Sequence, residues 1–380
     1  MSGLHKILFV SSEFPPGPGG IGNHGFNLCK YLSKSGYEVT AVTVSDYTDS
    51  STAEKFDKEQ KFRIIRFKRY SSKLKTFSER IKSIKKEIAG SGINLIIFSG
   101  RFSIYASLFL NKFKYNLKFI SIAHGTDINA GNTIEKLLIK KSLMKMDLII
   151  PVSEFSSKRI PAEIDSKKIC VIPNGFDIER ITEIKSKSGQ ITDGRLNLLT
   201  VGSVSPRKGQ HNVLKAMSKL ADEYPAIKYH IAGRIADDSK IRVYTDSEMF
   251  KSKVIIHGQV SNERLYELIK NADISIILSE QQSKGSMEGF GIAILEANYF
   301  GLPAIGSRNS GIADAISHGK SGQLVNPEST DEILKAVKEI VNNYSEYSRN
   351  AIQWANQHHW SKIILRYSDS INNLFYAKSF

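Results

Sequence analysis

The stretch LNLLTVGSVSPRKG, residues 196–209, decides the fold class of this chain. Its first six residues form a short, mostly apolar run without in-and-out alternation, which is typical of a parallel strand buried on both faces. Gly202 ends the run, and a polar loop carrying Arg207 and Lys208 leads into a segment of helical length. The stretch therefore predicts one strand–loop–helix unit of a doubly wound α/β fold.

The same unit recurs on both sides of this stretch. Twelve short apolar runs alternate with helix-length segments, at 7–10, 39–42, 64–67, 95–98, 119–122 and 148–152, and again at 196–201, 227–232, 254–256, 274–278, 303–305 and 323–325. The alternation pauses at 183–195, a polar segment that we interpret as a linker. We expect two Rossmann-like α/β domains, because 380 residues exceed one comfortable core. The first would comprise 1–182 and the second 196–360.

Two helices have specific sequence signals. Ser329 and Glu332 stand three residues apart before an apolar stripe, which is a capping-box pattern. A second stripe of helical period lies in the first half of the chain and comprises Phe77, Ile81, Ile84 and Ile88.

The composition is that of an ordinary soluble globular protein, with 41% hydrophobic and 24% charged residues. No apolar run approaches the ~20 residues of a membrane helix, and no signal-peptide pattern precedes the first run. Cys29 and Cys170 both lie in apolar patterns, which favours reduced core residues of a cytoplasmic protein.

The charge is distributed unevenly. The net charge is +15, and residues 1–190 hold 31 Lys and Arg against 18 Asp and Glu. Eleven of these basic residues fall in the segment 61–86. This segment is either the solvated face of a helix or a surface attracted to an anionic membrane, where each basic residue contributes about 1 kcal/mol. Charge alone also leaves nucleic acid and a phosphorylated acceptor open as partners.

Three loops carry candidate chemistry. In PPGPGGIG, residues 15–22, the backbone amides of Gly19 and Gly20 could approach an anion at a helix N-terminus, although a tight strand-to-helix turn needs glycines too. Arg207 and Lys208 could stabilise a diphosphate leaving group or could form a solvated charge pair. In EGFGIAILE, residues 288–296, Glu288 flanks a glycine turn, and Glu296 lies two turns into an apolar helix. A buried carboxylate there needs a partner, and the two hydroxyl groups of a ribose would satisfy it.

Taken together, these motifs resemble glycosyltransferase family 4, and the resemblance runs along nearly the whole chain. The motifs that carry it are Gly19-Gly20, His124-Gly125-Thr126-Asp127, Val152-Ser153, Ile172-Pro173-Asn174-Gly175-Phe176-Asp177, Pro206-Arg207-Lys208-Gly209, Gly258-Gln259-Val260, Ala272-Asp273, the Glu288…Glu296 pair, Gly301-Leu302-Pro303 and Gly319-Lys320-Ser321-Gly322. The resemblance implies the GT-B fold, with two Rossmann-like domains whose parallel sheets face a central cleft and with a C-terminal helix, 361–380, that joins the first domain. It also implies a retaining, metal-independent transfer of a hexose or N-acetylhexosamine from a nucleotide-diphosphate sugar to a saccharide or lipid-linked acceptor. It implies no cofactor, and the sequence contains no Asp-x-Asp metal motif.

The resemblance also implies a role for each matched residue. Lys208 and Arg207 would neutralise the donor diphosphate, and Glu296 would hold the ribose. Glu288 would hold the transferred sugar, and with Lys208, Arg207 and His124 it makes up the four residues that the resemblance implies are catalytic. Further donor contacts would come from backbone groups at Phe290, Gly291, Ile292 and Val260, and from the amides of Gly19 and Gly20. His124 would lie beside the reacting carbon, and Asp127 is a candidate on the acceptor side.

The sequence departs from the family pattern at two points. Ser203 stands where many members carry an arginine, so the division of labour between Arg207 and Lys208 is open. Gly233-Arg234-Ile235 replaces a second glycine after the strand run 227–232.

Other interpretations remain for single residues and for the whole chain. His124 could be a satisfied core histidine, and Asp127 could merely cap a turn. A nucleotide-sugar epimerase or a phosphorylase shares the fold. A non-enzymatic nucleic-acid binder is suggested only by charge, since the chain lacks aromatic-studded strands and a basic recognition helix. Uridine diphosphate is the first expectation for the donor nucleotide, with guanosine diphosphate mannose second, and the inner face of the membrane is a candidate location.

Overall fold

The computed structural model describes residues 5–17, 19–45, 49–129, 131–177, 194–280 and 288–376. They form two compact units, Met1–Gly175 with Trp360–Phe380 and Phe176–His359. The corresponding boundaries predicted from the sequence are 182 and 360. Most of the predicted linker, 183–195, lies outside the described residues, and the cleft expected between the domains stays a prediction.

The first unit contains a six-stranded sheet in which all neighbouring strands are parallel. Its strands are β1 Lys6–Ser11, β2 Glu38–Val44, β3 Arg63–Phe67, β4 Leu95–Ser99, β5 Lys118–Ala123 and β6 Leu148–Pro151. They lie in the order β3-β2-β1-β4-β5-β6. All six apolar runs predicted for this half fall on these strands. Every residue of β4 is buried, as expected for a parallel sheet covered on both faces.

The helices of the first unit follow the strands in alternation. They are α1 Gly20–Lys34, α2 Ser50–Lys58, α3 Lys73–Ser91, α4 Arg101–Ala106, α5 Thr133–Met144 and α6 Glu154–Ser157. Helix α3 carries the predicted stripe, because Ile81, Ile84 and Ile88 are buried in the core and Phe77 packs at its edge. The Ser72 side chain caps this helix by accepting a hydrogen bond from Lys75 N at 3.3 Å.

The second unit repeats the architecture. Its strands are β7 Asn197–Val201, β8 Lys228–Ala232, β9 Val254–Gly258, β10 Ile274–Ile277, β11 Ala304–Ser307 and β12 Gly322–Val325. Its helices are α7 Gln210–Glu223, α8 Arg242–Thr245, α9 Glu248–Lys251, α10 Asn262–Asn271, α11 Ile292–Tyr299, α12 Thr330–Asn342 and α13 Tyr344–Gln357. The sheet is parallel, in the order β12-β11-β10-β7-β8-β9, so the strand order of the first sheet occurs twice.

The capping box at α12 forms only in part. Ser329 Oγ accepts a hydrogen bond from Glu332 N at 3.3 Å, as the pattern predicts. The Glu332 carboxylate, however, accepts from Asn326 N at 2.9 Å and pairs with Arg308 at 2.8 Å. The partner of Glu332 differs because Asn326 and Arg308 come close only through the chain reversal after β12.

Helix α14, Trp360–Tyr376, returns the chain to the first unit. Trp360 is fully buried, and its ring stacks on those of Tyr31 and Tyr367 at centroid distances of 6.0 and 6.3 Å. A Cβ atom at Gly175 would approach the Trp360 ring to 2.9 Å, so the chain leaves this unit directly beside the point where it re-enters.

Cys29 is buried, whereas Cys170 is only half-buried, so the prediction of two core cysteines was correct for one. Both cysteines are free thiols. Among the described residues, no helix combines the length and apolarity needed to cross a bilayer.

The packing of Trp360 predicts that α14 is necessary for the stability of the first unit. Replacing Trp360→Ala removes a fully buried ring and should lower the free energy of unfolding by about 3–5 kcal/mol. Chemical denaturation followed by circular dichroism measures this loss. Lys362→Ala, an exposed position in the same helix, should leave stability within about 0.5 kcal/mol of the wild type. Equal effects of the two changes would mean that α14 is not anchored through this ring.

Candidate active site

The loop between β7 and α7 presents the two predicted cations. Pro206–Lys208 form a turn of 3-10 helix, and Gly209 follows in the left-handed conformation with φ 70°. A Cβ atom at Gly209 would lie 1.7 Å from the Leu278 carbonyl oxygen, so no larger residue fits. The loop is thereby packed against the end of β10, at the carboxyl edge of the sheet, where α/β folds bind ligands.

The Lys208 side chain lies against the backbone of Gly202, the first residue after β7. Its side chain is only 10% exposed, and a Cβ atom at Gly202 would stand 3.1 Å from its Cε and 3.2 Å from its Nζ. Gly202 has φ 145°, a conformation that glycine adopts without strain. This glycine therefore leaves room for the lysine and sets the path of its side chain.

Both cations converge on Glu288. Lys208 Nζ lies 2.9 Å from Glu288 Oε2, and Arg207 Nη1 donates to the same oxygen. Burial would raise the pKa of Glu288, but the charges of Lys208 and Arg207 outweigh it and hold the pKa below its usual value. The structure thus brings together three of the four residues predicted to be catalytic, in a buried, charged cluster within the second unit.

Glu288 is joined through a glycine turn to α11. Its carbonyl oxygen accepts a hydrogen bond from Gly311 N at 3.1 Å, and Phe290 is buried. Gly291 precedes the helix and Ile292 begins it. Glu296 is therefore the fifth residue of α11, half-buried and in the second turn as predicted. Its role towards a ribose stays a prediction.

Val260 lies in the loop between β9 and the N-cap residue of α10, Ser261. It is partly buried against an apolar cluster that includes Leu199 and Ala232 on the neighbouring strands. This position at the carboxyl edge of the sheet suits the predicted backbone contact, which stays a prediction.

Glu280 is a site residue that the sequence analysis missed. Its backbone N–H donates to the Arg207 carbonyl oxygen at 3.0 Å, and its carboxylate accepts from Asn212 Nδ2. His211 Nε2 lies 3.3 Å from the same carboxylate, and Lys240 Nζ lies 3.7 Å from it. The available signal was its place in the loop after β10, three residues beyond Ile277. Glu280 fixes the backbone that carries Arg207.

The glycine-rich loop of the first unit also differs from expectation. Gly19 precedes α1, which begins at Gly20, as predicted. A Cβ atom at Gly19, however, would stand 2.2 Å from Glu13 Oε2. Burial raises the pKa of Glu13, while a hydrogen bond from the Gly22 amide opposes the rise. The loop therefore already holds a carboxylate of its own chain, and an anion bound here would share the amides with Glu13.

His124 follows β5 and is buried in a polar cluster. Ser99 Oγ lies 3.0 Å from His124 Nε2, and the His24 ring meets the His124 ring edge-on at a centroid distance of 5.0 Å. Burial lowers the pKa of His124 to about 3, so the ring is neutral at physiological pH. His124 can therefore accept or donate a hydrogen bond but does not act as a cation.

His24 is a second residue that the sequence analysis missed. It lies one turn into α1, and its Nε2 is 3.1 Å from the Tyr367 hydroxyl on α14. Burial, with a smaller effect of His124, lowers the pKa of His24 well below its usual value. The signal was weak, because its two partners lie far along the chain. His24 links the C-terminal helix to the environment of His124.

Asp127 is buried beside His124. Its Oδ1 accepts a hydrogen bond from His124 N at 2.9 Å, and its Oδ2 is buried without a hydrogen-bond partner among the described residues. Burial raises the pKa of Asp127 to about 6, although hydrogen bonds from backbone amides and the charge of Arg101 act to lower it. Asp127 therefore holds the backbone of His124, three residues before it.

The basic segment 61–86 is only partly available to a partner. Arg66 forms an ion pair of 2.8 Å with Asp57, and Arg63 forms an ion pair of 2.7 Å with Glu87 of α3. Arg80 is buried, with its guanidinium 4.8 Å from the Phe67 ring centroid. The exposed charges of α3 are Lys73, Lys75, Lys82, Lys85 and Lys86. Three of the arginines are thus structural, and the surface is less basic than the sequence suggested.

Comparison with solved structures identifies the fold class. HepE of Anabaena, solved in complex with UDP, superposes with a TM-score of 0.76 at 17% identity, covering 97% of this chain and 100% of HepE. With the two six-stranded parallel sheets, this likeness defines a GT-B fold of two Rossmann-like domains.

Family models cover both units. Glycosyltransferase Family 4 matches residues 18–180, and Glycosyl transferases group 1 matches residues 181–358. The chain belongs to glycosyltransferase family 4, a family of enzymes.

Two curated relatives match in sequence. WcaL of Salmonella typhimurium, a glycosyltransferase provisionally assigned to colanic acid biosynthesis, is 26% identical over 222 residues, 58% of this chain and 54% of WcaL. The match thus spans about half of that relative. A GDP-mannose-dependent monoacylated alpha-(1-6)-phosphatidylinositol monomannoside mannosyltransferase of Corynebacterium glutamicum is 22% identical over 352 residues, 90% of each chain.

The buried Asp127 predicts a pH-dependent stability. The folded state binds a proton up to about pH 6, whereas an unfolded aspartate loses it near pH ~3.9, so ionisation of Asp127 destabilises the fold as pH rises between these values. Asp127→Asn keeps an oxygen for the His124 amide. It should gain up to about 3 kcal/mol over the wild type between pH 4 and 8.

Melting temperatures of both proteins across this pH range measure the gain. Asp222→Asn, an exposed position on α7, is the control for loss of one charge. A difference between Asp127→Asn and wild type that does not change with pH would contradict the raised pKa.

Proposed function

We propose that the protein is a retaining glycosyltransferase that moves a hexose or N-acetylhexosamine from a nucleotide-diphosphate sugar to a saccharide or lipid-linked saccharide. The observation that carries the proposal is the cluster of Arg207 and Lys208 on Glu288. A diphosphate leaving group gains negative charge as the sugar departs, and two fixed cations stabilise this charge most strongly where water is excluded.

The cluster supports a division of roles. Lys208, the more buried cation, would contact the phosphate nearest the sugar, and Arg207 would add a planar donor in place of the arginine absent at Ser203. Glu288, released from part of its pairing by the incoming phosphate, would accept hydrogen bonds from sugar hydroxyls. The two side chains supply the charge that a divalent metal supplies in other transferases, so we propose transfer without a metal or cofactor.

Residues of the first unit would surround the reacting carbon of the sugar. A neutral His124 would accept or donate a hydrogen bond at the sugar, and Asp127 would hold its backbone in place. Gly19 and Gly20 would offer amides to the phosphates alongside Glu13.

The choice of donor and acceptor draws on the relatives. HepE was solved with UDP, which supports a uridine diphosphate donor, and the Corynebacterium relative is named for guanosine diphosphate mannose. The same name describes a phosphatidylinositol-linked acceptor, and WcaL is named for polysaccharide biosynthesis. We propose an acceptor of one of these two kinds, used in the cytoplasm or at the inner face of the membrane.

Calorimetric titration with UDP, GDP and ADP, with and without EDTA, tests the donor site. One diphosphate should bind, and EDTA should not change its affinity. Lys208→Ala and Glu296→Ala should each weaken binding by about tenfold or more, because each removes a charge-assisted hydrogen bond. Lys215→Ala, an exposed lysine on α7, is the matched control.

The proposal would be wrong if none of the three nucleotides bound to the protein. If one binds, incubation with its sugars and a saccharide acceptor, followed by NMR of the product anomer, distinguishes retaining transfer from epimerisation or phosphorolysis.

A second prediction concerns the space that Gly202 leaves for Lys208. Gly202→Ala places a methyl group 3.1 Å from Lys208 Cε, and the displaced lysine should bind the diphosphate about tenfold more weakly. Gly319→Ala is the control, because Gly319 also has positive φ, 73°, but no atom within 4 Å of the new Cβ. Both variants should lose about 1 kcal/mol of stability from backbone strain, and only Gly202→Ala should lose affinity. Equal affinities in the two variants would contradict the positioning of Lys208 by Gly202.

A further inference from the structure

Large apolar side chains are exposed on one part of the first unit. Of the thirteen that are exposed among the described residues of the chain, eight lie between residues 74 and 144. Phe113 is 92% exposed and Leu74 is 83% exposed, which are the two highest values. Single exposed apolar residues are common on protein surfaces, but a concentration of this kind marks an interaction site.

Contacts connect several of these side chains into one surface. The Phe109 ring meets Phe77 of α3 edge-on at a centroid distance of 5.2 Å, and Leu74 lies one helical turn before Phe77. Phe109, Phe113 and Met144 line a single cavity of about 600 Å³.

Helix α5 continues this surface. Its exposed apolar residues, Ile134, Leu137 and Met144, recur at spacings of three and seven, so they share one side of the helix. We name the surface the α3–α5 face and define it by Leu74, Phe109, Phe113, Ile134, Leu137 and Met144.

Lysines are interspersed with these apolar side chains. Lys112, Lys145 and Lys168 line the cavity together with the aromatic rings. On the helices, Lys73 and Lys75 flank Leu74, and exposed lysines at 136 and 141 flank the apolar residues of α5. Arg80 in this region is buried, and Lys82 and Lys112 pair with Glu79 and Asp147, so the exposed basic residues beside the apolar ones are chiefly Lys73, Lys75, Lys136 and Lys141. The α3–α5 face is thus both apolar and basic.

We propose that the α3–α5 face docks on an anionic lipid bilayer. Phe113, Leu74 and Ile134 would enter the headgroup region, and the surrounding lysines would lie against lipid phosphates, where each contributes a modest attraction. Lysines flank the apolar side chains on both helices of this face, which suits lipid phosphates better than it suits the charge-depleted centre of a protein interface. The proposal depends on the proposed function only in that a lipid-linked acceptor would be met at this surface.

Flotation of the full-length protein with vesicles tests the proposal. Vesicles of phosphatidylcholine alone should retain little protein, and vesicles that also contain phosphatidylglycerol should retain it, less so as salt is raised. The double variant Leu74→Glu and Phe113→Glu should bind the anionic vesicles at least about tenfold more weakly, because it replaces buried apolar contact with repelled charge. Val243→Glu, at a 73% exposed apolar position of the second unit, is the matched control and should bind like the wild type.

Three results would overturn the proposal. They are absence of wild-type binding to anionic vesicles, binding that the double variant keeps, and an equal loss in Val243→Glu. Self-association of the wild type that the double variant abolishes, without vesicle binding, would assign the face to contact between copies of this chain. Circular dichroism checks that each variant is folded. UDP titration of the same variants separates this proposal from the donor site, because a defect on the α3–α5 face should leave nucleotide affinity unchanged.

Discussion

A single carboxylate oxygen, Glu288 Oε2, is shared by the side chains of Arg207 and Lys208. These three charges are largely removed from water, so each is stabilised only by the others and by the hydrogen bonds of the loops that carry them. The backbone around them is correspondingly fixed. Gly209 packs on the end of β10, Gly202 makes room for the lysine, and Glu280 holds the Arg207 carbonyl. The parallel sheet provides the edge at which these loops can meet.

The first unit buries three titratable groups close together in its structure. Burial keeps His24 and His124 uncharged and raises the pKa of Asp127 to about 6, so this carboxyl is neutral only below that pH. An environment of this kind raises the energy of any charge placed in it. Fixed charge is instead concentrated in the second unit, where Arg207 and Lys208 pair with Glu288.

The sequence predicted the elements that depend on local pattern. Twelve apolar runs of strand length became twelve parallel strands, because buried parallel strands need continuous apolar residues. The cations of the β7–α7 loop could be identified because loops at the carboxyl edge of such sheets bind ligands. Pairings between distant residues could not be read in this way. His24 and Tyr367 are 343 positions apart, and Glu280 contacts Asn212 across 68. Two further contacts likewise depend on tertiary packing. The Glu332 carboxylate pairs with Arg308, and the Glu13 carboxylate lies against Gly19 of the glycine-rich loop.

The two places where the chain passes between its units lie side by side in the first unit, since Gly175 fits directly under the Trp360 ring. The segment 176–359 is therefore, topologically, an insertion into the first unit, and the two residues that flank the insertion, Gly175 and Trp360, are in contact. A segment with adjoining ends can be exchanged between homologous genes without a longer or shorter connection on either side. The junctions at 175 and 360 are thus natural boundaries for recombination, through which a lineage could acquire a new second unit while keeping the first.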